Sequence, residues 1–219
     1  MADGYAGRAH GGCVCDTVAV SDDRALAAEQ ALADLRAAIA GAETIVASIS
    51  ARQWDAPTPC TGLDVRVLVS HLVAGNLRFV SLVDGTPPPD GDADPLGPDP
   101  AEAFRVAAAR LTTALGTPGM LDRTYPLPFG QVPGLGLIEI RLIEHLGHGW
   151  DLATATGQPS PFPFPDDVAE RGLAVARRQL ENRSAGAHSP FGAEVDVSPD
   201  APAIDRLAGF LGRAVERRP

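Results

Sequence analysis

The sequence contains no lysine: all 18 of its basic residues are arginine, set against 28 acidic ones for a formal net charge of −10. That surplus of carboxylates argues against nucleic acid as a partner, because phosphate-backbone binding needs a basic face that displaces counterions. Cysteine is equally scarce. Cys13, Cys15 and Cys60 cannot build a disulfide framework, and Cys13-Val-Cys15 lacks the second pair that a zinc knuckle requires. Long apolar runs are missing as well, since Arg, Asp or His interrupts each stretch well short of the ~20 apolar residues that span a bilayer. The N-terminus carries no apolar core of a secretory signal, so the expected location is the cytoplasm. What remains is ordinary globular material: 219 residues, 45% hydrophobic, with a mean hydropathy of +0.01, enough for one well-buried core.

Apolar spacing divides that material into helices. Residues 1–20, with Gly4, Gly7, Gly11 and Gly12 and no periodicity, read as a disordered leader. From Asp22 to about Ser50 apolar residues recur at three- and four-residue steps, giving a first long helix that ends before Pro57 and Pro59. Thr61-Gly-Leu-Asp64 reads as a capping-box variant opening a second helix that runs to about Gly85. A proline-rich acidic loop follows, and Asp99-Pro100 caps a third helix to about Leu115. Tyr125 to Pro133 is a proline-punctuated crossover with room for a short strand or ribbon. The fourth helix spans about Leu135 to Thr156 and stops at Gly157. Asp166 opens a helix to about Asn182, Phe191 to Ser198 alternates like a short strand, and Asp200 caps a last helix to about Arg217. The fold class expected is all-α: a metal-binding four-helix bundle over 21–157, with a helix-strand-helix appendage over 158–219 packed on it.

The chemistry sits in the fourth helix. Glu144 and His148 are four residues apart, so a carboxylate oxygen and an imidazole nitrogen share one helix face and can meet one divalent ion. His71, alone in the apolar segment Val65 to Ala74, is the candidate third ligand. Three protein ligands with one position open is the arrangement of a catalytic zinc site, although two imidazoles and a carboxylate also suit other divalent metals. Each residue has a plainer reading. His71 alone would serve as a core histidine, and Glu144 would pair with Arg141 or Arg66. His145, rotated about 100° from Glu144, is expected at the surface or behind the ligands. Asp151 either receives the second imidazole proton of His148 or faces solvent. Cys60, Trp54 and Trp150 are expected to pack, and Arg78 to lie at the surface.

Assembled in order, three blocks carry a family resemblance: Trp54 with Pro57-Thr-Pro-Cys-Thr-Gly62, then Asp64-Val-Arg-Val-Leu-Val-Ser-His71-Leu, then Glu144 to His148-Gly-Trp150-Asp151-Leu-Ala153 with Thr156-Gly157-Gln158. The chain resembles the DinB-like four-helix superfamily, and within it the actinobacterial metal-binding proteins related to the N-terminal domain of mycothiol-dependent maleylpyruvate isomerase. The resemblance covers about residues 22 to 217; Leu63 stands where the family often has Trp. It implies an up-and-down bundle with a divalent metal, usually zinc, held by His71, Glu144 and His148. It also implies mycothiol as a cosubstrate activated at that metal, so that thiol transfer to an electrophilic small molecule, or isomerisation through a thiol adduct, would be the activity. A metal-dependent hydrolase, a non-catalytic metal- or small-molecule-binding bundle, and a metal-free helical interaction module are the alternatives. A homodimer is compatible with all of them.

Overall fold

The computed structural model describes residues 15–91, 93–159, 161–180 and 191–215. Among these, six α-helices carry the fold: α1 (Cys15–Ala47), α2 (Val65–Asp84), α3 (Pro100–Leu115), α4 (Gly134–Ala155), α5 (Asp166–Leu180) and α6 (Ala203–Phe210). Two short strands, β1 (Thr124–Leu127) and β2 (Gly130–Pro133), form an antiparallel hairpin between α3 and α4. The proline-punctuated crossover is thus a ribbon, anchored where buried Tyr125 donates its hydroxyl hydrogen to the Met120 carbonyl at 3.1 Å.

Local signals account for most helix ends. Asp99 accepts a hydrogen bond from the Glu102 amide ahead of Pro100, and Gly85, at φ 67°, closes α2 in the left-handed conformation that glycine adopts without cost. The α2 cap is Asp64, which accepts from the Val67 amide, and not Thr61 as the capping-box reading has it. In α1 the helix begins at Cys15, ahead of the Asp22 start, and ends at Ala47. Residues 15–20 therefore belong to a helix and not to a leader; the rest of that expected leader, with Cys13, lies outside the described residues.

The core is shared by α1 to α4. Helix α1 packs on α4 and α3, and α2 packs on α3 and α4. By length and composition α2 is apolar enough to cross a membrane, but its apolar face, including Leu68, Leu72 and Phe79, is buried in this core. Helix α4 is enclosed almost all round, with fifteen buried residues between Gly134 and Ala153. That enclosure follows from its position, since α1, α2, α5 and α6 all pack against it.

The C-terminal part departs from expectation in two ways. No strand forms at Phe191 to Ser198: the segment is irregular, and its backbone link to α6 is the single bond from the Val195 amide to the Gly209 carbonyl, 2.9 Å. Alternating polarity suits a strand only where another strand supplies a ladder, and none lies alongside. Helix α6 is also shorter than the reading from Asp200 to Arg217. It starts behind Pro202, and its first amide, on Ala203, donates to the Asp166 carboxylate at the start of α5, 2.8 Å away. It ends where Gly212, at φ 87°, turns the chain back.

One wedge holds these layers together. Phe164 enters between α1 and α4 where Gly41 and Gly149 leave space; a Cβ on Gly149 would lie 2.4 Å from the Phe164 ring and one on Gly41 2.6 Å from it. Gly149→Ala is therefore expected to destabilise the protein by about 1–3 kcal/mol, as overpacking does. The measurement is urea unfolding, with a lower midpoint at unchanged slope. Adding Phe164→Leu should recover part of the loss, whereas no effect of Gly149→Ala would contradict the wedge.

Candidate metal centre

Helix α2 delivers His71 and helix α4 delivers Glu144 and His148 to one point. His71 Nε2 lies 3.0 Å and His148 Nε2 3.4 Å from the same oxygen, Oε2 of Glu144. One donor atom from each of the three falls within 4.8 Å of the others, and the two imidazole rings meet edge to face at 5.1 Å. The three sequence candidates are thus brought together, as the i,i+4 spacing on α4 requires and the packing of α2 on α4 permits. Burial is graded across the trio. The His148 side chain is 9% exposed, Glu144 21% and His71 49%, so the cluster opens to solvent on the His71 side.

Charge is concentrated there. Burial pushes the Glu144 carboxyl up, but hydrogen bonds from His148 and His71, with the charges of His148 and Arg141, hold it well below the usual carboxylate range. Burial pushes the His148 imidazole down, and its contacts with Asp151, Cys60 and Glu144 more than reverse this, holding it well above its ordinary value. An ion entering the cluster competes with a proton for the same imidazole nitrogen.

The opposite nitrogen of His148 is fixed from behind. Its Nδ1 donates to Asp151 Oδ2 at 3.0 Å, and Asp151 is fully buried. Asp151 also accepts two hydrogen bonds from Arg213, Nε to Oδ1 at 3.1 Å and Nη2 to Oδ2 at 2.9 Å. Of the two positions open to Asp151 from sequence, the structure has it against His148 and away from solvent. Half-buried Cys60 is the unexpected neighbour: its sulfur, His148 and Asp151 form a second group with donor atoms within 4.8 Å. Since both Asp151 oxygens are taken by Arg213, this second group is the poorer cation site. Trp150 packs in the core as expected, its indole N–H donating to Asp205 at 2.6 Å, Trp54 is partly buried against that core, and Arg78 is exposed.

His145 corrects the sequence reading. It is fully buried, because α4 is covered on the face 100° from Glu144 as well, and its ring meets Phe104 edge to face at 5.7 Å. Its partner is Asn76, whose Oδ1 lies 3.0 Å from His145 Nε2 and 2.9 Å from Arg141 Nη2. Arginine only donates, so the Asn76 atom between them is the oxygen, and His145 carries its proton on Nε2. Burial and the Arg141 charge hold the His145 imidazole well below its ordinary value. Arg141 itself is 3% exposed and lies 3.9 Å from Glu144 Oε2; Arg66, the other pairing considered for Glu144, binds Asp94 instead. Asn76 was legible as the one amide in an apolar stripe of α2, whereas nothing local marks Arg213 or the approach of Cys60.

Two curated relatives match this chain, the uncharacterized proteins MT0763 and Rv0738 of Mycobacterium tuberculosis (strains CDC 1551 / Oshkosh and ATCC 25618 / H37Rv). Each is 35% identical over 171 residues, which is 78% of this chain and 91% of the relative. No solved structure matches. The family described as mycothiol maleylpyruvate isomerase N-terminal domain matches residues 35–153, the span that contains α2, α3, all but the last two residues of α4 and all three candidate ligands. This chain therefore belongs to the mycothiol maleylpyruvate isomerase N-terminal domain family.

Proposed function

We propose that the protein is a DinB-like four-helix-bundle enzyme that holds a divalent metal, zinc in the first instance, through His71, Glu144 and His148, and uses it in mycothiol-dependent transfer or isomerisation. The observation that carries this reading is the convergence of two imidazole nitrogens on one carboxylate oxygen from two helices. The donors fit such an ion. They are two neutral-capable nitrogens and an anionic oxygen, they already touch, and the half-exposed His71 leaves a side open to an incoming group. The chemistry an ion supplies in such a setting is to make a bound thiol a thiolate at neutral pH.

The chain's own residues divide the remaining work. Asp151 holds the His148 ring so that Nε2 faces Glu144, and Arg141, tied to Asn76 of α2, supplies positive charge 3.9 Å from Glu144. Glu144 is a ligand in this scheme and not a base. An electrophilic small molecule would approach from the His71 side. Hydrolysis is the weaker reading, because its two candidate bases are both engaged: Asp151 by Arg213 and His148, and His145 by Asn76 beneath the surface. We place the protein in the cytoplasm, with no nucleic acid or membrane as partner, as a monomer or homodimer.

Purification without chelator or nickel resin is expected to yield close to one zinc per chain by elemental analysis. The loaded protein is then expected to consume members of a panel of electrophiles only when mycothiol is present. Thiol-independent hydrolysis would transfer the assignment to the hydrolase, and bound metal without any turnover would reduce it to a binding protein.

A further inference from the structure

We infer that Arg213, in the turn after α6, is a positioning residue of the metal centre, acting through Asp151 to fix the His148 ring. The inference rests on the metal-binding reading and extends it to a part of the chain outside the family match, which ends at residue 153. The geometry is a continuous hydrogen-bonded line. The Arg213 guanidinium grips both Asp151 oxygens, and the oxygen it shares, Oδ2, is the one that accepts from His148 Nδ1. All three side chains are buried: Arg213 is 6% exposed, Asp151 0% and His148 9%. A two-pronged guanidinium-carboxylate pair fixes the plane of the carboxylate, and the plane of the carboxylate fixes the ring that donates to it.

The local fold is arranged to deliver this one side chain. Gly212, at φ 87°, reverses the chain, and its Cα side approaches Gly192 so closely that a Cβ would lie 2.6 Å from the Gly192 Cα. The Arg213 amide then donates back to the Ala208 carbonyl at 3.0 Å, and its Nη1 donates to the Leu211 carbonyl at 2.8 Å, which fixes the guanidinium from the other side. Leu211 packs where Gly147 leaves room on α4, one residue before His148. Helix α6 and the turn after it thus form the rear wall of the centre.

The test is zinc affinity, by competition with a chromogenic chelator, with the visible spectrum of the cobalt-loaded protein as a second readout. Arg213→Met is expected to weaken zinc binding by about 10-fold or more and to change the cobalt band intensities, since loss of an outer partner of a ligating His typically costs about 10–100-fold. Asp151→Leu with Arg213→Met removes the buried charges together, which usually leaves a fold intact. Because Arg213 acts only through Asp151, that double variant should bind zinc no more than about threefold differently from Asp151→Leu alone. Asp205→Ala is the control: it breaks the Trp150 hydrogen bond that ties α6 to α4 without touching Asp151 and should leave both readouts near wild type. Wild-type affinity in Arg213→Met, or in the double variant should the single one fail to fold, would overturn the inference. So would an equal loss in Asp205→Ala, which would mean that any loosening of α6 suffices. Absence of zinc binding in the wild type would remove the metal centre itself, and this inference with it, a result distinct from zinc that binds but ignores Arg213.

Discussion

His71→Ala is expected to abolish stoichiometric zinc while leaving the metal-free protein as stable as the wild type. Exposure sets the stability half of this result. Half of the His71 side chain is in solvent, so its removal leaves no sizeable cavity, and surface changes of this kind usually stay within about 0.5 kcal/mol. Its loss as a ligand is another matter. If an outer partner of a ligating His is worth about 10–100-fold in affinity, a ligand itself is worth at least about 100-fold. Linkage gives a clean readout: zinc at about 100 times its dissociation constant should stabilise the wild type by about 2.7 kcal/mol and the variant hardly at all. Equilibrium unfolding with and without zinc, beside elemental analysis, measures both quantities. His148→Ala should lose the ion too, but at a cost in stability even without metal, because it removes the buried partner of Asp151. Zinc retained by His71→Ala would dismantle the proposed ligand set, and a helical module without metal would show no zinc-dependent shift in any variant.

The second large effect is expected at Asn76. This buried amide oxygen is the common acceptor for Arg141 and His145; the only other α2 hydrogen-bond acceptor that Arg141 reaches among the described residues is the Leu72 carbonyl, at a longer 3.5 Å. The network has little slack. Nδ2 of Asn76, Nε of Arg141 and Nδ1 of His145 have no hydrogen-bond partner among the described residues. Asn76→Ala would add Nε2 of His145 to that set and leave Nη2 of Arg141 only its long bond to the Leu72 carbonyl. With an unsatisfied buried donor costing about 1–3 kcal/mol, and more where the group is charged, a loss of about 2–4 kcal/mol is expected in urea or thermal unfolding. Arg141 would also lose its tether beside Glu144, so zinc affinity should fall with it. A loss below about 1 kcal/mol would mean that water already satisfies this cluster.

These two sites differ in how readable they were. His71, Glu144 and His148 could be named from the sequence because two of them obey helix periodicity, and because a lone histidine among Leu68, Val69, Leu72 and Val73 stands out against its surroundings. Asp99-Pro100 and Gly85 marked helix ends for the same reason: caps act within one turn, so the signal is local. The misplaced features depend on what lies across from them. Phe191 to Ser198 has the polarity of a strand but no neighbouring ladder, and His145 looked peripheral only because periodicity cannot count how many helices cover α4. Arg213 was invisible on both grounds, since its reach to Asp151 spans 62 positions and depends on a glycine reversal that has no meaning until α6 is docked.

The direct contact between His71 and Glu144, partners 73 positions apart, bears on how the protein would acquire the proposed ion. The donors are assembled by the packing of α2 on α4, so loading would be an exchange of protons for metal at a finished receptacle and not an event that must await chain collapse. Empty and filled forms would then share one architecture. A molecule stripped of its ion during scarcity would remain a folded acceptor, ready to be recharged when supply returns.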